Sequence, residues 1–434
     1  MSAAIDVVHI TPHLGGGVGK ALSTLVDAQR DTNFRHGFIL LEQPEKPQFL
    51  NRLKDLGVRV EICPHITTAT EMLADADIVQ LEWWNHPATF AFLCQNHLPA
   101  MRLVVWCHVS GLHTPIIPKG LLEAAHRFVF TSSCSMQAPN VVDADASTRE
   151  RFAVVSSGTG LALQPQRPPV QGRTLHAGYI GSLNFSKIHP HVVDYLTAVD
   201  LPDFKVTAWG DPQNQEMLLG QCRKAGKPNL LEFAGYTTNV AQALQSIDIL
   251  VYLLNPYHYG TAENILLEAM SAGVVPIVLN NPAEMGIVEN GRTGYVVSSR
   301  EEFADAIKQI WTGQYTLTAM SRNAAQAIET NYGPKRTSKQ MAKVYQDALE
   351  TPQRPVHFAD FLGKEPADWL LSFQLSSHLF EQGMTGCYNG PQYQLSESRK
   401  GGLLHFCEKF PHDQRLSTWR STISKPPEAS VPTA

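Results

Sequence analysis

Near its start the chain carries an apolar run, Ile5–Ile10, then a glycine cluster, then an amphipathic stretch from about Lys20 to Arg30. Short apolar runs recur at Gly37–Leu41, Val58–Cys63, Ile78–Leu81, Leu103–Cys107 and Phe128–Thr131, with helical or loop stretches between them. Strands that alternate with helices predict a parallel sheet covered on both faces. The alternation then pauses. Residues 164–174 include Gln-Pro-Gln-Arg-Pro-Pro, a polar, proline-rich stretch that reads as an interdomain linker.

Beyond the linker the pattern restarts, with strand candidates at Leu175–Ile180, Lys205–Trp209, Leu231–Ala234, Ile249–Leu253 and Val275–Leu279. Helices are expected over Glu263–Ala272 and Arg300–Trp311. The predicted fold class is therefore α/β, with two Rossmann-like domains over residues 1–163 and 175–350. After Thr351 the texture changes: Pro352, Pro355 and Gly363 break the periodicity. Phe358, Trp369, Leu370, Phe373 and Phe380 still offer enough apolar surface to pack as helices onto a domain. Residues 351–434 read as a C-terminal extension, disordered from about Lys425.

Composition narrows the picture. A chain of 434 residues exceeds one ordinary core, and 43% hydrophobic with 17% charged residues argues against wholesale disorder. The formal charge of −5, with no basic stripe, argues against nucleic acid as a partner. No apolar run reaches the roughly 18 residues of a membrane span, and the N-terminus lacks a basic-then-apolar signal. The expected compartment is the cytosol. Cysteines at 63, 94, 107, 134, 222, 387 and 407 are scattered without a CxxC pair, which suits reduced thiols, most of them small core residues.

Candidate chemistry falls at the ends of predicted strands. The run Leu14-Gly15-Gly16-Gly17-Val18-Gly19-Lys20 lies between the first strand and the first helix. Glycines let backbone approach a ligand, and a helix start presents N–H groups, a combination suited to a diphosphate or a sugar. It is not a P-loop, because Leu14 and Ala21 stand where that motif needs glycine and Ser/Thr. Ser182 and Lys187 follow the first strand of the second half and are candidates for phosphate contact. Gly260 to Asn264 form a small, polar helix start, and Glu268 lies in the otherwise apolar helix beyond it. A carboxylate there is costly unless it is paired or faces a ligand, and a ribose diol is a natural partner. His108 ends a strand of the first half, where open α/β sheets bind ligands. Glu82, Trp83, Trp84 and His86 end another and are acceptor candidates, since aromatic faces pack on sugar rings. Each motif has a plainer alternative: a flexible turn, a surface lysine, a helix-surface glutamate, a structural histidine, core aromatics. No set of His, Asp and Glu has metal spacing, so neither metal nor cofactor is expected.

Taken together, these motifs resemble the family-4 retaining glycosyltransferases of the GT-B fold, over roughly residues 5 to 350. Gly16-Gly17-Val18-Gly19-Lys20-Ala21-Leu22 is similar to that family's first loop and helix. Gly181-Ser182-Leu183-Asn184-Phe185-Ser186-Lys187 resembles its phosphate loop, and Glu232-Phe233-Ala234-Gly235-Tyr236 the strand and glycine near its nucleobase. Glu268-Ala269-Met270-Ser271-Ala272-Gly273-Val274-Val275-Pro276 resembles its most specific stretch, and Gly291-Arg292-Thr293-Gly294 continues it.

The resemblance implies a nucleotide-diphosphate sugar as co-substrate, a glycan or lipid-linked acceptor, a role in cell-surface polysaccharide or glycoconjugate synthesis, and peripheral contact with the inner membrane. It implies that Gly16 and Gly17 line donor phosphate and sugar, with Ser182 and Tyr236 also on the donor side. Lys187 neutralises the leaving diphosphate. Thr261, Ala262, Glu263 and Asn264 lie near the donor, Glu268 holds the ribose, and His108 sits beside the sugar. His108, Lys187 and Glu263 are the implied catalytic set. Two positions depart from the family pattern: Gly260 stands in place of a glutamate and Ser182 in place of an arginine. These departures motivate a rival reading, a degenerate sugar- or nucleotide-binding partner subunit. A second rival is another enzyme of the same fold, such as an epimerase or a phosphorylase.

Overall fold

The computed structural model describes residues 3–158, 174–211, 213–261, 264–313, 316–375, 377–382 and 401–423. The first sheet contains β1 (Ile5–Thr11), β2 (Phe34–Leu40), β3 (Arg59–Ile62), β4 (Ile78–Trp83), β5 (Leu103–Cys107), β6 (Arg127–Phe130) and β7 (Phe152–Val154). The second contains β8 (Ala177–Ile180), β9 (Val206–Trp209), β10 (Leu231–Gly235), β11 (Ile249–Tyr252), β12 (Val275–Leu279) and β13 (Tyr295–Val297). Their orders are β3-β2-β1-β4-β5-β6-β7 and β10-β9-β8-β11-β12-β13, and the strands pair in parallel throughout. The architecture is thus the expected pair of Rossmann-like α/β domains. Strands β5, β11 and β12 are apolar and buried along their whole length, as strands under helices on both faces require, and β4 is buried throughout although it carries Gln80 and Glu82. Strand order reverses at β1/β4 and at β8/β11, and such switch points open a crevice at the strands' carboxyl ends.

The first helix, Gly16–Gln29, begins inside the glycine cluster, earlier than the amphipathic pattern suggested. A Cβ on Gly19 would lie 2.1 Å from the Leu14 carbonyl oxygen, so the turn into this helix needs glycine there. The short strands β7 and β13 have no counterpart among the predicted runs, because edge strands of three residues carry too little pattern.

The boundary at residue 350 requires correction. Two long helices, Thr316–Tyr332 and Pro334–Leu349, follow β13, and the second returns to the first domain. Its Met341, Val344, Tyr345 and Ala348 share a core with Val7, Phe34, Val104 and Trp106. The crossing falls near Gly333, where Pro334 opens the new helix. Periodicity reveals an apolar stripe on this helix but not which sheet the stripe covers. The extension also packs on the first domain: Phe358, Trp369, Leu370, Phe373, Phe406 and Trp419 join Trp83, Phe90 and Leu93 in one cluster. The linker from 164 to 173 and the tail from 424 lie outside the described residues. No disulfide joins the described cysteines, and no helix among the described residues is long and apolar enough to cross a membrane.

Candidate functional site

A cavity of about 320 Å³ lies between the domains, at the carboxyl ends of both sheets' central strands. His13, Gly15, Gly17 and Val18 enter it after β1, Trp84 and Asn85 after β4, and His108 and Val109 after β5. Lys187, Tyr259, Gly260, Thr261 and Asn264 close it from the second domain. The two faces are tied together around it. Ser110 N donates to the Tyr259 carbonyl at 2.9 Å, and Asn264 Nδ2 to the Gly17 carbonyl at 3.0 Å. Lys20 Nζ meets Glu268 Oε1 at 2.5 Å, and Lys46 Nζ stands 3.5 Å from the centroid of the Tyr236 ring.

On the first-domain side the polar groups extend behind the cavity wall. His108 Nε2 lies 2.8 Å from Glu82 Oε2. Glu82 Oε1 lies 2.9 Å from His9 Nδ1 and accepts from Gln80 Nε2 at 2.7 Å. His9 Nε2 is 2.9 Å from His36 Nδ1, and His36 Nε2 is 2.9 Å from Gln29 Oε1. The Tyr345 hydroxyl donates to Gln80 Oε1 at 2.6 Å, tying the returning helix to this network. Burial pushes the Glu82 carboxyl up, but the hydrogen bonds from His108 and His9 outweigh it and hold the group below its ordinary value. Burial drives the His36 imidazole well below its ordinary value, and the charge at His9 adds to this.

Three acceptor candidates are corrected by this geometry. Glu82 and Trp83 are buried, the first between two histidines and the second edge-on to Phe90. His86 is buried too, and its Nδ1 accepts from Ala88 N at 3.2 Å to cap the helix Pro87–Gln95. Only Trp84 of that group lines the cavity, because the strand's last buried positions and the following helix cap consume the other side chains.

On the donor side, Gly17, Lys187, Thr261 and Asn264 line the cavity, and Gly16 adjoins it with φ +60 and open space beside its Cα. Ser182 is exposed and outside the lining; its carbonyl accepts from the Tyr179 hydroxyl at 2.6 Å. Tyr236 is 57% exposed beneath Lys46. Glu268 is buried against Lys20. Ala262 and Glu263 lie outside the described residues. Sequence reading missed His9, His13, Asn85 and Tyr259 as members of the site, and placed Lys20 in the glycine motif without its partner Glu268. Their signal lies in tertiary contact; only the adjacency of His13 and Lys20 to the glycine cluster was visible in the chain. Among the described residues, no cluster of three or more His, Cys, Asp or Glu side chains is arranged to hold a metal ion.

Residues 164–327 match the family model described as glycosyl transferases group 1. No curated protein matches the sequence. Among solved structures, HepE from Anabaena, determined with UDP and glucose, is similar at a TM-score of 0.60 and 16% identity, covering 79% of this chain and 99% of its own. The lipopolysaccharide outer core galactosyltransferase WaaB is similar at 0.59 and 16%, covering 80% and 99%. The sucrose-phosphate synthase of Thermosynechococcus elongatus is similar at 0.60 and 15%, covering 80% and 99%. The fold is that of GT-B glycosyltransferases. The family match lies within the second sheet's half of the chain and the stretch leading into it, and the likeness in fold extends over about four fifths of the whole.

Proposed function

We propose that the protein moves a sugar from a nucleotide-diphosphate sugar to an acceptor hydroxyl, with retention of configuration. The observation that carries this reading is the interdomain cavity, in which Lys187 faces the glycine-rich start of the helix Gly16–Gln29. That pairing suits a diphosphate: a point charge on one side, backbone N–H groups on the other. Glu268 lies one turn into the helix behind Thr261 and Asn264, in reach of a ribose once Lys20 yields it. Tyr236, exposed beneath Lys46 of the first domain, serves the nucleobase. Ala262 and Glu263 belong to the same donor-facing turn by sequence, with Glu263 beside Lys187 and His108 in the catalytic set. HepE has been solved with UDP-glucose, which supports a donor of this class.

The described lining of the cavity contains no carboxylate. Front-face transfer requires none: the diphosphate leaves, an oxocarbenium-like centre forms, and the acceptor hydroxyl attacks from the same side while a departing phosphate oxygen takes its proton. The protein supplies positioning and stabilises the leaving charge. No metal enters this scheme. The acceptor is a glycan or lipid-linked glycan of cell-surface assembly, met by a cytoplasmic enzyme that touches the inner membrane peripherally; WaaB, an outer core galactosyltransferase, supports the acceptor class.

The test is a panel of UDP-, GDP-, ADP-, TDP- and CMP-sugars, scored by calorimetry and thermal shift without added metal, followed by transfer assays. A ligand that binds the folded state raises its melting temperature by mass action. One preferred nucleotide, with affinity lost in Glu268→Ala, is the expected result; no binding to any donor sinks the reading. Binding without transfer or hydrolysis supports the second reading, a non-catalytic partner subunit, which Gly260 in the cavity wall favours because a glutamate is absent there.

A further inference from the structure

The buried network behind His108 has donor directions that can be followed from its far end. Gln29 Nε2 donates to the Ser338 carbonyl at 3.1 Å, so its Oε1 is the atom that accepts from His36 Nε2. His36 is kept neutral by burial, which leaves its Nδ1 bare to accept from His9 Nε2. On the other side, Gln80 receives the Tyr345 hydroxyl and donates to Glu82 Oε1. An ionised Glu82 has only acceptors to offer, so His9 Nδ1 and His108 Nε2 must both bring a proton to it. His9 therefore donates from both ring nitrogens and forms a buried, charge-balanced pair with Glu82. His108 spends Nε2 on Glu82 and keeps Nδ1, with no hydrogen-bond partner among the described residues, for the cavity it lines.

The geometry points to Glu82 and His9 as a positioning pair: the carboxylate fixes His108 as the Nε2–H tautomer, and the buried His9 cation keeps it neutral, so that Nδ1 meets the sugar as a hydrogen-bond acceptor. This rests on the reading of the cavity as a sugar site and sharpens it. The His108 end takes a neutral sugar hydroxyl, which can donate, and turns away a carboxylate or phosphate, which meets a lone pair. The titratable or charged groups that face His108 are Glu82 from β4, His9 from β1 behind it, His13 after β1, and Lys187 and Tyr259 across the cavity. A positive Lys187 also opposes a second cation at His108.

Histidine-ring nitrogen NMR of the full chain without ligand reads the pair directly, with signals assigned by their loss in His108→Asn and His9→Gln. At neutral pH, His108 is expected with its single proton on Nε2, and His9 with protons on both nitrogens. In His9→Gln the uncompensated carboxylate is expected to draw a second proton onto His108. Transfer then falls about tenfold at neutral pH, the worth of one hydrogen bond, and recovers as the pH is raised and that proton leaves. A fold damaged by the substitution does not recover in this way, and the wild-type spectrum is informative whether or not the variant folds. A doubly protonated His108 or a neutral His9 in the wild type overturns the proposal, as does an unchanged His108 in His9→Gln. Failure of every nucleotide sugar to bind removes the functional reading while leaving these spectra to stand or fall alone.

Discussion

The two domains repeat one layout and place opposite chemistry behind it. In the first, the central strands β1 and β4 carry His9, Gln80 and Glu82 into the buried sheet, where His9 and Gln80 are register partners. In the second, the corresponding strands β8 and β11 are Ala177–Ile180 and Ile249–Tyr252, apolar apart from two tyrosine hydroxyls. The second domain's buried His258 and Glu284, with Nε2 3.1 Å from Oε1, lie in the segments after β11 and β12 instead. One half thus invests in a rigid polar network that aims a single imidazole. The other leaves its sheet apolar and meets an anion with a lysine and backbone N–H groups. Aiming a neutral acceptor needs a fixed tautomer; attracting a diphosphate needs only charge nearby.

The sharpest way to break this contrast is Glu82→Ala. It strands a buried His9 cation, and equilibrium denaturation is expected to show a loss of about 3–5 kcal/mol. Lys187→Ala is expected to leave the denaturation midpoint in place while transfer falls roughly 10²–10³-fold, about 2.7–4 kcal/mol of leaving-group stabilisation; near-normal turnover removes its role. Glu268→Ala is expected to weaken nucleotide binding by about 1.5–3 kcal/mol in calorimetry, as for a hydrogen bond to a charged group. Tyr179→Phe, which deletes the bond to the Ser182 carbonyl in the apolar sheet, is expected to cost only about 1 kcal/mol of stability.

Acid tests the buried network as well. His36 has a folded value held well below 6.5, so the unfolded chain takes up its proton first, and stability falls as pH drops below about 6.5. Glu82 has a folded value held below 4.5; its contribution is present above that pH and is lost as pH falls through the lower folded value. Melting temperature against pH is therefore expected to decline from about 6.5 and more steeply below about 4.5, and the steeper part is expected to shrink in Glu82→Gln.

Much of the site was legible because its chemistry follows strand ends. Gly17, His108, Lys187, Thr261 and Asn264 all line the cavity, as their places after apolar runs implied. The acceptor group shows where such reasoning stops. Glu82-Trp83-Trp84-Asn85-His86 looks like a polar, aromatic loop in the chain, yet β4 runs through Trp83 and His86 is spent on a helix cap. Burial there depends on the extension and on the returning helix, which lie some 250 to 320 residues away in sequence.

What the sequence by itself determined is the repeated strand–helix period, the two parallel sheets and the glycine-, lysine- and glutamate-bearing turns, because these arise from local periodicity and backbone conformation. What only the tertiary structure decided is which sheet the helix Pro334–Leu349 covers, that Lys20 meets Glu268 across the cleft, and that Glu82 stands between two histidines instead of facing an acceptor. Those outcomes rest on contacts between distant segments, whose hydrogen bonds and charge balance exist only once both domains and the extension are packed.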